Sequence, residues 1–316
     1  MDPQISAMPA HTSVLLHETV SSILGPLDGI YLDATYGRGG HTRALLSLLG
    51  PKARVIALDR DPTAIAAGQL ENDPRLTLVH SAFSSVSAVL SALNIPKLDG
   101  MMLDIGVSSP QLDEAARGFS FSKDAPLDMR MDDSINSPSQ TAAQWVAAAS
   151  INDIKGVLHE LGEERHAARI AALIVQSREI APITTTGQLA QLVERAIPFR
   201  QAGHHPATRT FQAIRIHINQ ELDELVSVLK QAQSVLTVDG KLAVISFHSL
   251  EDRIVKQAFR PAPVTVAERH LPRPTALHPW RELSRIRAGA DECKRNPRAR
   301  SATLRVAIRQ ATEVQA

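Results

Sequence analysis

Apolar residues gather in short runs at Ile30 to Ala34, Arg54 to Leu58, Leu76 to His80 and Leu98 to Leu103, starting 22 to 24 residues apart. Between the runs, apolar positions return every three or four residues, the period of a helix with one buried face. That alternation is the rhythm of βαβ units. It predicts a parallel sheet with right-handed crossovers and helices on both faces. Ahead of it, Ser13 to Leu24 has helical spacing and stops at Gly25-Pro26. Far downstream, Lys241 to Phe247 predicts a fifth strand after an Asp239-Gly240 turn. Near the end, Ala302, Leu304, Val306 and Ile308 alternate with Thr303, Arg305 and Arg309, the pattern of a half-buried strand.

The rhythm breaks at Asp113. Asp113 to Ser139 is rich in Ser, Asp, Pro and Met and reads as a long loop, of the length that is usually functional or mobile. Only helices follow, at Thr141 to Ala149, Ile151 to Leu161, Glu163 to Arg178 and Gly187 to Ile197; Thr185 and Gln188 form a capping-box pair before the last. A single long helix is then expected from Phe211, Ile214, Ile218, Leu222, Leu225 and Leu229. Ser249 with Asp252 is the expected cap of the helix SLEDRIVKQAFR, and Pro261 to Arg300 reads as an extended surface loop. The expected fold class is therefore α/β: a doubly wound sheet, mostly parallel with a final antiparallel strand, plus an inserted all-helical domain. The expected boundaries are 1–112 with 206–316 for the sheet domain and 113–205 for the insert.

At 316 residues and 44% hydrophobic content the chain can bury two moderate cores. The net charge of +1 names no partner, but 12 Lys and Arg face 4 Asp and Glu between Arg260 and Arg309, a local basic stretch. Its plainer reading is a solvated surface. Cys293 is the sole cysteine, which excludes an intrachain disulfide and a cysteine metal cluster. No apolar span reaches membrane length and no leader pattern opens the chain, so a cytoplasmic protein is expected.

Candidate chemistry centres on Ile30 to Leu46, where an apolar run is followed by Asp33, the glycines Gly37, Gly39 and Gly40, and a helical pattern. Such glycines let the backbone turn tightly and approach a ligand ahead of a helix N-terminus. A dinucleotide fingerprint begun at Gly37 requires glycine where Thr42 stands. Asp59 ends the second strand and can accept both ribose hydroxyls of an adenosine, which suits NAD and S-adenosylmethionine equally. Asp33 favours the second, because a carboxylate there attracts an ammonium or sulfonium and repels a pyrophosphate. The plainer role for Asp33 is a cap of the loop's own amides. Asp104 and Gln111, after the fourth strand, can bond amino groups of the ligand. Phe83, after the third, can lie on an adenine ring or simply pack in the core.

At these residues the chain resembles the bacterial small-subunit (16S) ribosomal RNA cytosine-N(4) methyltransferases. The strings YLDATYGRGGH, ALDRDP, LDIGVSSPQLD, RGFSF with PLDMRMD, HPATRTFQAIRIHINQEL, SFHSLEDRIVK and NPRARSATLR carry the likeness from about His11 to Ile308. The resemblance implies a Rossmann-like, S-adenosylmethionine-dependent methyltransferase domain interrupted by a helical domain for substrate recognition. It implies cofactor contacts from Gly39, Gly40, His41, Asp59, Phe83, Asp104 and Gln111. The implied partner is ribosomal RNA in the small subunit, with a cytidine of the decoding region as target. No membrane partner is expected, and a homodimer is left open.

The exocyclic amine of cytosine is a poor nucleophile because its lone pair is delocalised into the ring. Its activation needs alignment with the methyl group and acceptors for its hydrogens. Ser108-Ser109-Pro110 resembles the Ser-Pro-Pro element of amino-methyltransferases, so Asp104 and Ser108 are the candidate catalytic residues; capping of the turn is the plainer role for the serines. His248 ranks second as a base contact. His204 and His205 lack partners at metal-ligand spacing, and no metal is expected. For RNA, Arg295, Arg298, Arg300 and Arg305 are the expected phosphate contacts, with affinity falling steeply in salt. Two rivals stand beside this reading. One is a nicotinamide-dependent oxidoreductase on the same sheet, the other an RNA-binding assembly protein without turnover.

Overall fold

The computed structural model of the chain describes residues 13–134, 137–197, 205–260 and 278–311. In chain order, α1 (Leu16–Ile23) precedes β1 (Ile30–Asp33), α2 (Gly40–Leu48), β2 (Arg54–Asp59), α3 (Pro62–Gly68), β3 (Leu76–His80), α4 (Val86–Ala92) and β4 (Leu98–Asp104). A helical series follows: α5 (Ser109–Asp113), α6 (Ala142–Ala148), α7 (Ile151–Gly162), α8 (Ala167–Arg178), α9 (Thr186–Ala196) and α10 (Ala207–Asn219). The last part contains α11 (Glu221–Val235), β5 (Leu236–Ser246), α12 (Ser249–Phe259), β6 (Trp280–Arg287), α13 (Ala290–Arg295) and β7 (Thr303–Arg309). The chain divides into two units, Met1–Gly106 with Glu224–Ala316, and Val107–Asp223.

The first unit is built on a seven-stranded sheet in the order β3-β2-β1-β4-β5-β7-β6. From β3 to β5 the neighbours are parallel; β7 runs antiparallel to β5, and β6 antiparallel to β7. The strand order reverses between β1 and β4, and a doubly wound sheet binds its ligand beyond the carboxyl ends of the strands at that switch. Continuous apolar runs make the central strands because both faces are covered. Leu32, Ile56, Met101, Leu103 and Val244 pack with Leu225, Leu229, Val255 and Phe259, whereas Tyr31, Val55, Met102 and Ile245 pack with Val20, Ile23, Leu45 and Leu46.

Two sequence expectations need correction in this unit. The stretch Pro261 to Arg300 is not all loop: residues 261–277 lie outside the described residues, but β6 and α13 occupy the rest. β6 escaped notice because it is an edge strand with one deeply buried residue, Trp280, and its less exposed positions include the polar Glu282 and Ser284. Ser249 is not the cap of α12. His248 is, with Glu251 accepting from its backbone N–H at 3.3 Å and from that of Phe247 at 2.7 Å. The Asp239-Gly240 turn is realised within β5 by Asp239 in the left-handed region, φ 65°.

The expected single helix from Phe211 to Leu229 is two helices, broken at Gln220 with φ 52°. The cause is a division of labour along the stripe. Phe211, Ile214 and Ile218 belong to the helical core of the second unit, and Leu225, Val228 and Leu229 to the sheet core of the first. The second unit is consequently wider, Val107–Asp223, than the expected 113–205. Within it the capping pair holds, Thr185 accepting from Gln188 N–H and Gln188 from Thr185 N–H. The described part of the 113–139 segment is irregular yet pinned. Phe119, Leu127, Met129 and Met131 are buried, the buried Arg117 donates to the carbonyls of Arg130 and Met131, and Asn219 bonds Met131 N–H and Met129 O.

Candidate active site

Each strand beside the switch point, β1, β2 and β4, ends in an aspartate, because an apolar strand that emerges from the core meets polar surroundings there. The three acids differ in what holds them. Asp33 is 1% exposed, accepts from Thr35 N–H at 3.1 Å and from the Thr42 hydroxyl at 2.7 Å, and so caps its own loop. Thr42, which breaks the dinucleotide fingerprint, is the residue that secures it.

Asp59 joins the second strand to the glycine loop. Its two oxygens accept from Gly37 N–H at 2.7 Å and Asp61 N–H at 2.8 Å. Gly37 and Gly39 both have positive φ, 55° and 71°. A Cβ on Gly39 would lie 2.6 Å from the Tyr36 hydroxyl oxygen, so only glycine fits the turn that opens α2. Gly40 begins α2, and His41 behind it is buried, its Nε2 donating to the Val14 carbonyl at 3.1 Å.

Asp104 is the exception among the acids. Its backbone N–H donates to Thr35 Oγ1 at 2.6 Å, which ties the ends of β1 and β4 together. Its Oδ2 stands 3.9 Å from His41 Nδ1, outside hydrogen-bond distance, and its buried Oδ1 has no hydrogen-bond partner. A buried acceptor left in this way is costly unless a donor arrives. An amino group is the donor that fits a carboxylate there.

The field at this edge is strongly acidic. Burial pushes Asp33 up to about 6, opposed by its bonds from Thr42 and Thr35. Burial likewise pushes Asp59 up to about 6 against its backbone bonds, with the charges of Asp61 and Asp33 adding to the rise. Asp104 reaches about 6 through burial, lowered by His41 and raised by Asp33 and Glu251. Three carboxylates that resist ionisation together favour a cation, and a sulfonium or ammonium fits that requirement while a pyrophosphate opposes it.

Phe83 follows β3 in a short 3-10 turn and is half-buried against the sheet core, so it packs while keeping part of its ring exposed. His248 sits at the carboxyl end of β5 with Nε2 2.8 Å from Oε1 of the fully buried Glu251. In the second unit, Ser108 is the N-cap of α5 and its N–H donates to Gln111 Oε1 at 2.9 Å, so the capping role holds for Ser108, and Gln111 is buried. His204 lies outside the described residues; His205 Nε2 is 3.0 Å from Glu194 Oε1, and its ring stacks on Phe121 with centroids 4.4 Å apart.

The four candidate RNA arginines separate into two groups. Arg295, Arg298 and Arg300 lie between β6 and β7, on α13 and the following 3-10 turn, with Arg295 and Arg300 exposed. That connection is anchored by Glu292, which accepts from Leu15 N–H at 2.8 Å. Arg305 is a correction. Its side chain is 3% exposed and forms a fork with Asp252 at 2.7 and 3.0 Å and a further ion pair with Glu282. Position in β7 sends it under α12, where two carboxylates compensate its buried charge, and it is closed to phosphate.

Sequence reasoning missed Thr35, which carries no periodic signal, and paired Ser249 with Asp252 as the cap where His248 and Glu251 form it, a capping-box spacing that histidine obscured. Among the described residues no three His, Cys, Asp or Glu side chains group to hold a metal ion.

Residues 8–310 match the model of the MraW methylase family. A protein of Azoarcus sp. named ribosomal RNA small subunit methyltransferase H is 51% identical over 96% of this chain and 98% of its own length. Proteins of the same name from Thiobacillus denitrificans, 52% identical over 95% of this chain and 97% of its own, and Methylobacillus flagellatus, 50% identical over 98% and 99%, are similar throughout.

Proposed function

The chain belongs to the MraW methylase family, and from that membership we propose that it transfers a methyl group from S-adenosylmethionine to the exocyclic N(4) amine of a cytidine in the decoding region of 16S ribosomal RNA. The single observation that supports this reading best is Asp104, a half-buried carboxylate whose buried Oδ1 lacks a hydrogen bond, at the switch point beside a glycine loop. The residues fit the cofactor: Gly39 and Gly40 would let the backbone approach it, Asp59 would accept from its ribose hydroxyls, and Phe83 would lie against its adenine. His41 holds the loop to the Val14 carbonyl.

S-adenosylmethionine supplies an electrophilic methyl group on a sulfonium. Asp33 favours that positive charge from beneath the loop, and Asp104 accepts hydrogen bonds from an amino group and holds it in line. Ser108 and Gln111, on the helical unit, are proposed as an acceptor for the target amine and a cofactor contact. The helical unit itself is proposed as the part that recognises the substrate. Arg295, Arg298 and Arg300 meet phosphates of the RNA. The place of action is the cytoplasm, where small subunits are, and among the described residues no helix is long and apolar enough to cross a membrane. Sedimentation of the purified protein reads whether it works as a homodimer.

The experiment is transfer of labelled methyl from S-adenosylmethionine to small ribosomal subunits, followed by mass mapping of the RNA. One N(4)-methylated cytidine in the decoding region is the expected result. Label at another atom or in another RNA overturns the assignment, and NAD binding in place of S-adenosylmethionine overturns the reaction class.

A further inference from the structure

We propose that Arg285 and Arg287 of the edge strand β6 hold the RNA backbone beside the target nucleotide. This inference rests on the RNA-methylating reading above. It starts from register. Asp104 of β4 pairs with Ile245 of β5, Ile245 with Leu304 of β7, and Leu304 with Ile286 of β6. One row therefore runs from the candidate acceptor to the far edge of the sheet. Three steps between strands, each about 4.8 Å, put β6 roughly 14 Å from Asp104. An RNA strand with its target base over β4 covers that distance in a few nucleotides.

Arg287 lies one residue beyond this row, opposite Thr303, at the carboxyl end of the sheet. Arg285 lies opposite Arg305. Cross-strand partners share a face, so both arginines stand on the face of Arg305, beneath which α12 packs through Asp252. The bulge makes this possible. Strict alternation would send Glu282 and Arg285 to opposite faces, but the extra residue Leu283 puts both on the Arg305 face, Glu282 opposite Ala307 and Arg285 opposite Arg305. Glu282 then neutralises Arg305 together with Asp252, which leaves Arg285 and Arg287 exposed, and neither forms an ion pair among the described residues.

Arg285 and Arg305 stand directly opposite each other in the antiparallel pair; Asp252 and Glu282 compensate the buried Arg305, and the guanidinium of Arg285 stays at the exposed edge. Phosphate is the partner that suits the two exposed side chains, since a guanidinium fork matches phosphate oxygens. Arg295 and Arg300 are exposed on the connection that leaves Arg287. An edge strand also carries cations simply to discourage pairing with other chains, so the test must separate the two roles.

The test uses the full chain, S-adenosylmethionine and a 16S RNA fragment or small subunit that contains the target cytidine. The double variant Arg285→Ala, Arg287→Ala is expected to raise the KM for RNA roughly tenfold with kcat and cofactor affinity unchanged. Each lost phosphate contact is expected to make the logarithmic salt dependence of binding shallower by about 0.7. Arg285→Lys with Arg287→Lys restores most of the affinity. Arg281→Ala is the control: it is exposed on the same strand but pairs with Ile308, in the row of Lys241 and Gly100 toward the amino ends. An unchanged KM and salt slope in the double variant overturns the proposal, even if that variant aggregates. An equal loss from Arg281→Ala overturns it too, since the effect would be one of overall charge. If the unaltered protein transfers no methyl group, the reading of the reaction fails, and the RNA affinities of the same variants still decide this inference.

Discussion

Two ends of one sheet carry opposite electrostatics and solve opposite problems. At β1, β2 and β4 three aspartates are drawn inward, and backbone amides with the Thr42 hydroxyl hold two of them in place. At β6 and β7 arginines dominate: Arg305 is drawn inward and held by carboxylates, while Arg285 and Arg287 stay outside. In each region some charged residues are structurally consumed, and a neighbour of like sign is left available. Asp33 is consumed and Asp104 is open; Arg305 is consumed and Arg285 is open. Residue type and position in a motif do not separate these pairs, whereas hydrogen-bond partners do. The acidic region suits a cationic cofactor and the basic region a polyanion.

The largest test of this contrast is Arg305→Ala. Removing the cation leaves Asp252 and Glu282 facing each other, and a loss of stability on the order of 3 kcal/mol is expected. Thermal or denaturant unfolding reads it. The RNA salt slope of the folded fraction should not move, and a changed slope would return Arg305 to the phosphate contacts.

Asp104→Ala comes next. Loss of a charge-assisted hydrogen bond of about 2 kcal/mol weakens S-adenosylmethionine binding roughly thirtyfold. Calorimetry should show Asp33→Asn weakening binding less than Asp104→Ala, because the Asp33 side chain bonds only its own loop and reaches the cofactor through charge alone. If Ser108→Ala and Asp104→Ala both leave single-turnover methylation intact with saturating cofactor, neither residue serves the target amine.

A pH titration gives a smaller and graded effect. Asp33, Asp59 and Asp104 have folded pKa values near 6, above their ordinary value of 3.8. Between these limits the folded protein without cofactor binds more protons than the unfolded chain, so its stability declines as pH rises through that window. A bound cation favours the ionised carboxylates and reverses the trend. The thermal shift caused by S-adenosylmethionine should therefore be larger at about pH 7.5 than at about pH 5, and equal shifts would break the link between these acids and the cofactor. The smallest expected change is that of Arg295→Ala and Arg300→Ala, each a few-fold in RNA affinity with a salt slope shallower by about 0.7 per residue.

Much was legible before any coordinates. The spacing of apolar runs located β1 to β4 within a residue of their ends, because a strand buried on both faces must be apolar throughout. Gly39 was legible as a turn glycine because no other residue type fits its conformation, and Thr185 with Gln188 was legible because a capping box is a local bond. β6 was not, since its place is set by pairing with β7 and not by its own pattern. The break at Gln220 was not legible either: an apolar stripe at helical spacing looks the same whether it serves one core or two.

By itself, then, the sequence determined the βαβ rhythm, the helical interruption, the glycine turn and the residue types at the strand ends, all consequences of local geometry and periodic burial. The tertiary structure alone decided which charges are free. Asp33 meets Thr42 across nine residues, Arg305 meets Asp252 across fifty-three, and Asp104 Oδ1 meets none. A side chain's availability depends on what the fold brings beside it, and no local pattern encodes that neighbour.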